Sequence, residues 1–296
     1  MPGGVMTIQL PQRRSGVTHS SPSAPAVDRA AAVPLGRRSA LTLAAVSALG
    51  LLAFGWPFLV QPGAALSQPD GAWLFVLLLP LLLAVVLAEL ADGAMDAKAV
   101  AILGVLSALA AVLRPLSGGV TGFQPMFVVI VLAGRVFGPG FGFSVGATSM
   151  LASAFVTGGI GPWLPFQMLA AAWVGLGAGL LPRAQGRAEL GIVAAYAGVS
   201  SLAYGLLLNL WFWPFIAAPG GDLSFVPGAA VTDNAARLLG YTLVTSLGFD
   251  VPRAIGNLVL VLVVGGVALR ALRRVSRRAA FAAPVTFAPP AADGRA

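Results

Sequence analysis

Between residues 113 and 183 the chain runs as three apolar segments joined by glycine- and proline-rich corners, and its only charged residues are Arg114, Arg135 and Arg183. The segments 124–137, 141–157 and 163–181 are each about long enough, with tilt, to cross a hydrocarbon core of roughly 30 Å. The corners alternate. Gly118, Gly119 and Gly122, then Gly158, Gly159 and Gly161, mark turns on one side, and Gly138-Pro139-Gly140 marks a tight turn on the other. Arg135 and Arg183 therefore fall at the opposite side from Arg114 and Trp163. A backbone with so little polar cover can cross lipid only as helices that satisfy their own hydrogen bonds.

The rest of the chain has the same character. It is 58% hydrophobic and 9% charged, against roughly 25% charged residues in soluble domains, so the fold class is an all-α integral membrane protein. The formal net charge of +8 comes from arginines in tails and loops, which fits basic loops held on the cytoplasmic side rather than a nucleic-acid surface. With no cysteine, disulfides, thiolate metal sites and cysteine nucleophiles are excluded. The single histidine, His19, lies in a polar tail, leaving no imidazole for acid–base work or metal ligation in the membrane. Lys98, the single lysine, follows Ala97, so there is no phosphate loop of the G-x-x-x-x-G-K type. No catalytic residue, metal or cofactor is expected.

In chain order, residues 1–38 are rich in Pro, Ser, Ala and Arg without helical or strand period, and read as a disordered cytoplasmic tail. Arg37-Arg38 before an apolar run also fits a twin-arginine export signal, but an uncleaved first span over 39–60, ending at Trp56-Pro57, explains the same residues. A second span covers 72–90, with Trp73 as interfacial anchor; together they form an N-terminal pair within 39–92. Over 97–113 small residues recur at four-residue spacing, as Ala97/Ala101, Gly104/Ala108 and Ser107/Ala111. That spacing suits either the approach of a partner's helix or packing inside the same bundle. Span 191–215 ends in Asn209, Trp211, Trp213 and Pro214, and span 252–272 leads into Arg270, Arg273, Arg274, Arg277 and Arg278, with 273–296 as a basic cytoplasmic tail. With both arginine-rich ends in the cytoplasm of a plasma-membrane protein, the number of crossings must be even, and eight is the count. Residues 233–249 are then an outer-surface helix or the outer part of a kinked last helix.

In this layout a set of polar and aromatic residues gathers at or just below the outer surface: Arg114, Gln124, Trp163, Gln167, Asn209, Trp211, Trp213, Tyr241, Asp250, Arg253 and Asn257. Apolar walls with a few convergent polar groups are the usual make-up of a small-molecule site. Taken singly, each aromatic or arginine is equally an interfacial anchor. Gln124, Gln167, Asn209 and Asn257 are not anchors, and each needs a partner in an apolar setting. Asp250 before Val251-Pro252 also reads as a helix N-cap paired to Arg253 at i+3.

Residues 97–274 resemble the substrate-binding membrane subunit, or S component, of energy-coupling factor (ECF) transporters, the vitamin-importing branch of the ABC family. The resemblance rests on the small-residue helix ending in Leu113-Arg114-Pro115 and on the run Ala133-Gly134-Arg135-Val136-Phe137-Gly138-Pro139-Gly140-Phe141-Gly142. It rests also on Gly161-Pro162-Trp163-Leu164-Pro165-Phe166-Gln167, and on Asp250 with Arg253, Ala254 and Asn257 opening the last helix. It implies a six-helix substrate-binding core over 93–272, a vitamin pocket closed by outer loops, and a surface that docks on a transmembrane coupling (T) subunit served by two ATP-binding subunits. The expected pocket set is Arg114, Gln124, Trp163, Gln167, Asn209, Trp211, Tyr241, Asp250, Arg253 and Asn257; the expected docking set is Ala97, Ala101, Gly104, Ala108 and Arg135. The additional pair of helices over 39–92 departs from the pattern. Long, tryptophan-rich outer loops lean the ligand towards a large vitamin such as cobalamin, with riboflavin, thiamine and biotin also consistent. Two other classes remain: a self-sufficient channel or facilitator, and a polytopic enzyme in which Asp250 with Arg253 is the available acid–base pair.

Overall fold

The computed structural model describes residues 33, 35–64, 96–117, 122–216 and 221–279. The expected second span at 72–90 lies outside them, as do both tails apart from residues 33, 35–38 and 273–279; the tail expected from 273 begins as helix, because the last helix runs on to Ala279. The described residues form α-helices and short 3-10 turns. Helix α1 is Arg37–Phe54, followed by a 3-10 turn at Trp56–Phe58; α2 is Ala97–Leu113, α3 Met126–Phe137, α4 Pro139–Thr157, α5 Leu164–Leu180, α6 Gly186–Ile216, α7 Val231–Thr245 and α8 Leu247–Ala279. Four of these, α1, α4, α6 and α8, are long and apolar enough to cross a membrane, and α2, α3 and α5 are shorter apolar helices.

Local chemistry sets the boundaries. Asp96 caps α2, its carboxylate accepting from the Ala99 N–H at 2.8 Å. The turn between α3 and α4 is a single residue, Gly138, and Pro139 opens α4 where a missing N–H costs nothing. Sequence placed the last span at 252–272, but α8 starts five residues earlier, with the Phe249 and Asp250 N–H groups both bonded to the Ser246 carbonyl. Asp250 is thus inside the first turn of α8 rather than its N-cap. The segment expected at 233–249 is the separate helix α7, joined to α8 by an elbow at Ser246.

The centre of the bundle is α4 against α5. Their backbones touch at Gly142 and Gly175: a Cβ on either would run into the carbonyl of the other. Lipid supplies no hydrophobic drive between helices, so contact this close, made by van der Waals packing, is what holds such a pair. The buried share of the apolar window is 67% in α4 and 22% in α8, which makes α4 the internal helix and α8 a peripheral one. Helix α8 lies along α6.

Two polar clusters terminate this apolar body. Glu189 and Asn209, both on α6, belong to different clusters and are about 30 Å apart along the helix axis; Asp250 and Arg273 on α8 are about 35 Å apart. Those separations match a bilayer's hydrocarbon thickness. They fit the two sides expected from the arginine pattern.

Candidate functional site

The first cluster surrounds a cavity of about 240 Å³ lined by Arg114, Gln124, Gln167, Tyr204, Gly205, Leu208, Asn209, Ser246, Phe249, Asp250 and Arg253. Its residues come from the end of α2, the approach to α3, the first turn of α5, the C-terminal half of α6, the elbow between α7 and α8 and the first turns of α8. Arg114 donates from Nη1 to Ser153 Oγ at 2.8 Å and from Nη2 to Gln167 Oε1 at 3.0 Å, so one guanidinium ties α2 to α4 and α5. Opposite it, Arg253 donates from Nε and Nη2 to the Ser201 carbonyl at 3.2 and 3.0 Å and pairs through Nη2 with Asp250. The Tyr204 ring lies 5.3 Å from its guanidinium carbon, within cation–π range. The i,i+3 pair expected from sequence is therefore present. Gly205 makes room for it: a side chain there would occupy the position of the Asp250 carboxylate.

Asn209 holds the elbow, donating from Nδ2 to Ser246 Oγ at 2.7 Å and to Thr242 Oγ1 at 3.3 Å. A second cavity of about 280 Å³ adjoins the first, sharing Gln167, Leu208 and Asn209 and adding Trp163, Trp211 and Phe212. Its aromatic wall is rigid: Trp211 stacks on Phe166 with centroids 4.4 Å apart and planes 2° from parallel. From the 3-10 turn after α1, Trp56 stacks on Phe215 and donates its indole N–H to the Trp211 carbonyl at 3.2 Å.

Of the pocket residues expected from sequence, Arg114, Gln124, Gln167, Asn209, Asp250 and Arg253 converge on the first cavity, and Trp163 and Trp211 on the second. Tyr241 and Asn257 line neither. Tyr241 sits half-buried on α7, where burial raises its phenol above the ordinary tyrosine value. Asn257, two turns below Asp250, is fully buried between α6 and α8, donating to Ser201 Oγ at 2.9 Å; it is an interhelical staple rather than a pocket floor. Trp213, expected to supply contact area, is buried and donates to the Leu223 carbonyl, fixing the loop before α7.

The second cluster was missed by sequence reasoning. Glu189, in the first turn of α6, is 4% exposed at its side chain and accepts from Arg135 Nε at 2.8 Å and from Arg273 Nη2 at 2.5 Å, both on Oε1. Arg135 also donates to the Leu181 carbonyl at 2.9 Å. Arg135 was expected to face a docking partner; it turns inward because the carboxylate and the end of α5 take its donors, leaving the side chain 8% exposed. A signal existed: Glu189 is the only acid between Asp96 and Asp222, and a lone acid at the head of a span needs a cation. Nearby, Lys98 donates to the Ala279 carbonyl at 3.0 Å, tying α2 to the end of α8.

The small-residue positions of α2 divide. Ser107 and Ala111 are buried, with Ser107 Oγ 2.6 Å from Thr148 Oγ1. Ala97, Ala101, Gly104 and Ala108 are exposed, and the space beside Gly104 is open.

The family described as ECF transporter, substrate-specific component, matches residues 98–265, from the first turn of α2 to just past the middle of α8. The chain belongs to that family. This makes it a membrane substrate-binding subunit, a transporter component that associates with other ECF transporter components. Helix α1 lies outside the matched stretch. No curated protein and no solved structure matches the chain.

Proposed function

We propose that this subunit captures a vitamin or vitamin precursor from the outer face of the plasma membrane and delivers it by docking on a transmembrane coupling subunit driven by two ATP-binding subunits. Both termini are cytoplasmic in this reading, and ATP hydrolysis belongs to the partners. The observation that carries it is the cavity bounded by Arg114, Gln167, Asn209, Asp250 and Arg253, at the end of the bundle away from the Glu189 cluster. A volume of about 240 Å³ lies just below the roughly 300–1,000 Å³ of sites for drug-sized ligands. That favours a small vitamin or precursor over the corrinoid suggested by the tryptophan-rich loops, whose tryptophans Trp211 and Trp213 are largely spent on packing.

Docking is assigned to the exposed face of Ala97, Ala101, Gly104 and Ala108, where small side chains admit a partner helix at close range. Arg135 contributes only by holding the ends of α3, α5 and α6 together. In Ala101→Trp the bulky ring should abolish uptake and co-purification of the coupling subunit while small-molecule retention stays at the wild-type level. Loss of retention together with assembly would move this face into the interior of the assembly's binding unit and sink the docking assignment. Uptake by liposomes containing this chain alone would favour a facilitator instead.

A further inference from the structure

We infer that Tyr204 and Gln124 are the groups of the first cavity that read the ligand, and that the ligand presents to them a cyclic amide or ureide edge, with N–H and C=O side by side. This rests on the reading of that cavity as the substrate site and adds a recognition residue and a chemical class.

Tyr204, in the C-terminal half of α6, is 5% exposed and lines the cavity. Its ring is held in place. The Phe127 ring meets it edge-on with centroids 4.7 Å apart, and the Arg253 guanidinium carbon lies 5.3 Å from its centroid. Its hydroxyl, by contrast, makes no hydrogen bond among the described residues. A phenol this deeply buried normally has a partner. Packing does not call for the hydroxyl, since phenylalanine makes the same ring contacts. What the hydroxyl adds is a hydrogen-bonding group on the wall of a cavity.

Gln124 is the second such group. It lies two residues before α3, half-buried on the cavity wall, and its carboxamide makes no hydrogen bond among the described residues. The other two amides of the lining are engaged across helices: Gln167 Oε1 accepts from Arg114, and Asn209 Nδ2 donates to Ser246 and Thr242.

The chemistry of the pair narrows the class. A carboxamide offers a donor and an acceptor side by side, and a phenol can donate or accept. A carboxylate would use only the donor of that carboxamide, and an ammonium only its acceptor. The partner that meets both at once is another planar amide, and a lactam or ureide ring holds its N–H and C=O on the same side. Tyr204 then takes a further polar atom of the same edge. A ring of that size suits a volume of about 240 Å³, and the adjoining compartment with Trp163 and Phe212 takes the apolar remainder. Analogues lacking part of the edge would leave a buried group unpaired, which is how polar sites reject them.

The full chain purified in lipid nanodiscs supplies the probe: the small molecule it retains is released, identified by mass spectrometry, and titrated back beside its analogue methylated at the ring N–H. A molecule with a lactam or ureide ring is expected. Tyr204→Phe should bind it about 5- to 150-fold more weakly at an unchanged melting temperature, because the substitution breaks no bond within the protein. Wild type should discriminate against the methylated analogue, and Gln124→Leu should lose that discrimination because the acceptor that reads the N–H is gone. The identity of the retained molecule decides the class without any variant. A retained molecule with no such ring, or wild-type affinity in Tyr204→Phe, overturns the assignment while leaving a substrate-binding subunit in place. A melting temperature that falls with affinity in Tyr204→Phe overturns it too, by making the hydroxyl a structural group. If wild type retains nothing, the substrate-site reading fails and this assignment falls with it.

Discussion

The two ends of the bundle are built from the same ingredients and do different things with them. Among the described residues, the cluster at each end is built on two arginines and one carboxylate. At one end Arg135 and Arg273 converge on a single oxygen of Glu189, and the carboxylate draws α3, α6 and α8 into one knot. At the other, Asp250 pairs with Arg253, Arg114 donates to Ser153 and Gln167, and Arg114, Asp250 and Arg253 all line a cavity. The lesson is that residue composition does not distinguish a closed knot from a cavity lining. Whether the groups converge on one oxygen or border an open volume does.

The comparison requires the two ends to lie on opposite faces of the membrane, and breaking that would have an all-or-none effect. In this cysteine-free chain, Asp222→Cys should react with an impermeant thiol reagent applied from outside, and Arg187→Cys only after permeabilisation. The reverse labelling pattern would put the cavity on the cytoplasmic side. Next in size is Glu189→Gln, which strands two arginines, one of them buried. Removing one partner of a buried pair costs about 3–5 kcal/mol, a fall in melting temperature on the order of 10 °C. Small-molecule retention by the protein that remains folded should not change; if it falls in proportion to stability, the ends are coupled rather than independent.

Gln167→Ala tests the other end. It removes a cavity-lining amide and one of the acceptors that orient Arg114, so affinity for the retained molecule should drop by about 1–3 kcal/mol, roughly 5- to 150-fold, with little change in melting temperature. A large stability loss with unchanged affinity would make Gln167 a clamp like Glu189. The smallest effect belongs to Arg273→Gln. Its side chain is 39% exposed, and a pair open to solvent contributes at most about 1 kcal/mol, so the expected shift in melting temperature is a few degrees or less. A loss as large as that of Glu189→Gln would show that the exposed arm carries the knot.

How much of this was legible in advance varied with the physical signal. The helices of the central stretch came through within a few residues, as Met126–Phe137, Pro139–Thr157 and Leu164–Leu180, because lipid imposes polarity rules on contiguous sequence, although only the middle one is long enough by itself to be counted as a span. The cavity's polar members, Gln124, Gln167, Asn209, Asp250 and Arg253, were legible because such groups are costly in an apolar helix without a purpose. Tyr241 and Asn257 have the same residue character and lie at similar depth, yet one sits away from both cavities and the other is spent on Ser201. Depth is readable from position along a span, whereas helix azimuth in a nearly all-apolar chain is not, since hydrophobic periodicity vanishes when every face is apolar.

Sequence by itself determined that this chain is a helical membrane protein with no cysteine, a single histidine and no phosphate-loop motif, and with an S-component pattern from α2 to α8. It also placed Asp250 and Arg253 within pairing distance, because residues three apart on a helix share a face. Tertiary structure alone decided which cation each acid meets. Glu189 lies 54 residues from Arg135 and 84 from Arg273, Arg114 lies 53 from Gln167, and α4 and α5 come together through Gly142 and Gly175. Such pairings depend on the rotation and crossing of packed helices. Those are set by small-residue contacts and side-chain shape summed over the bundle, which no local stretch of the chain encodes.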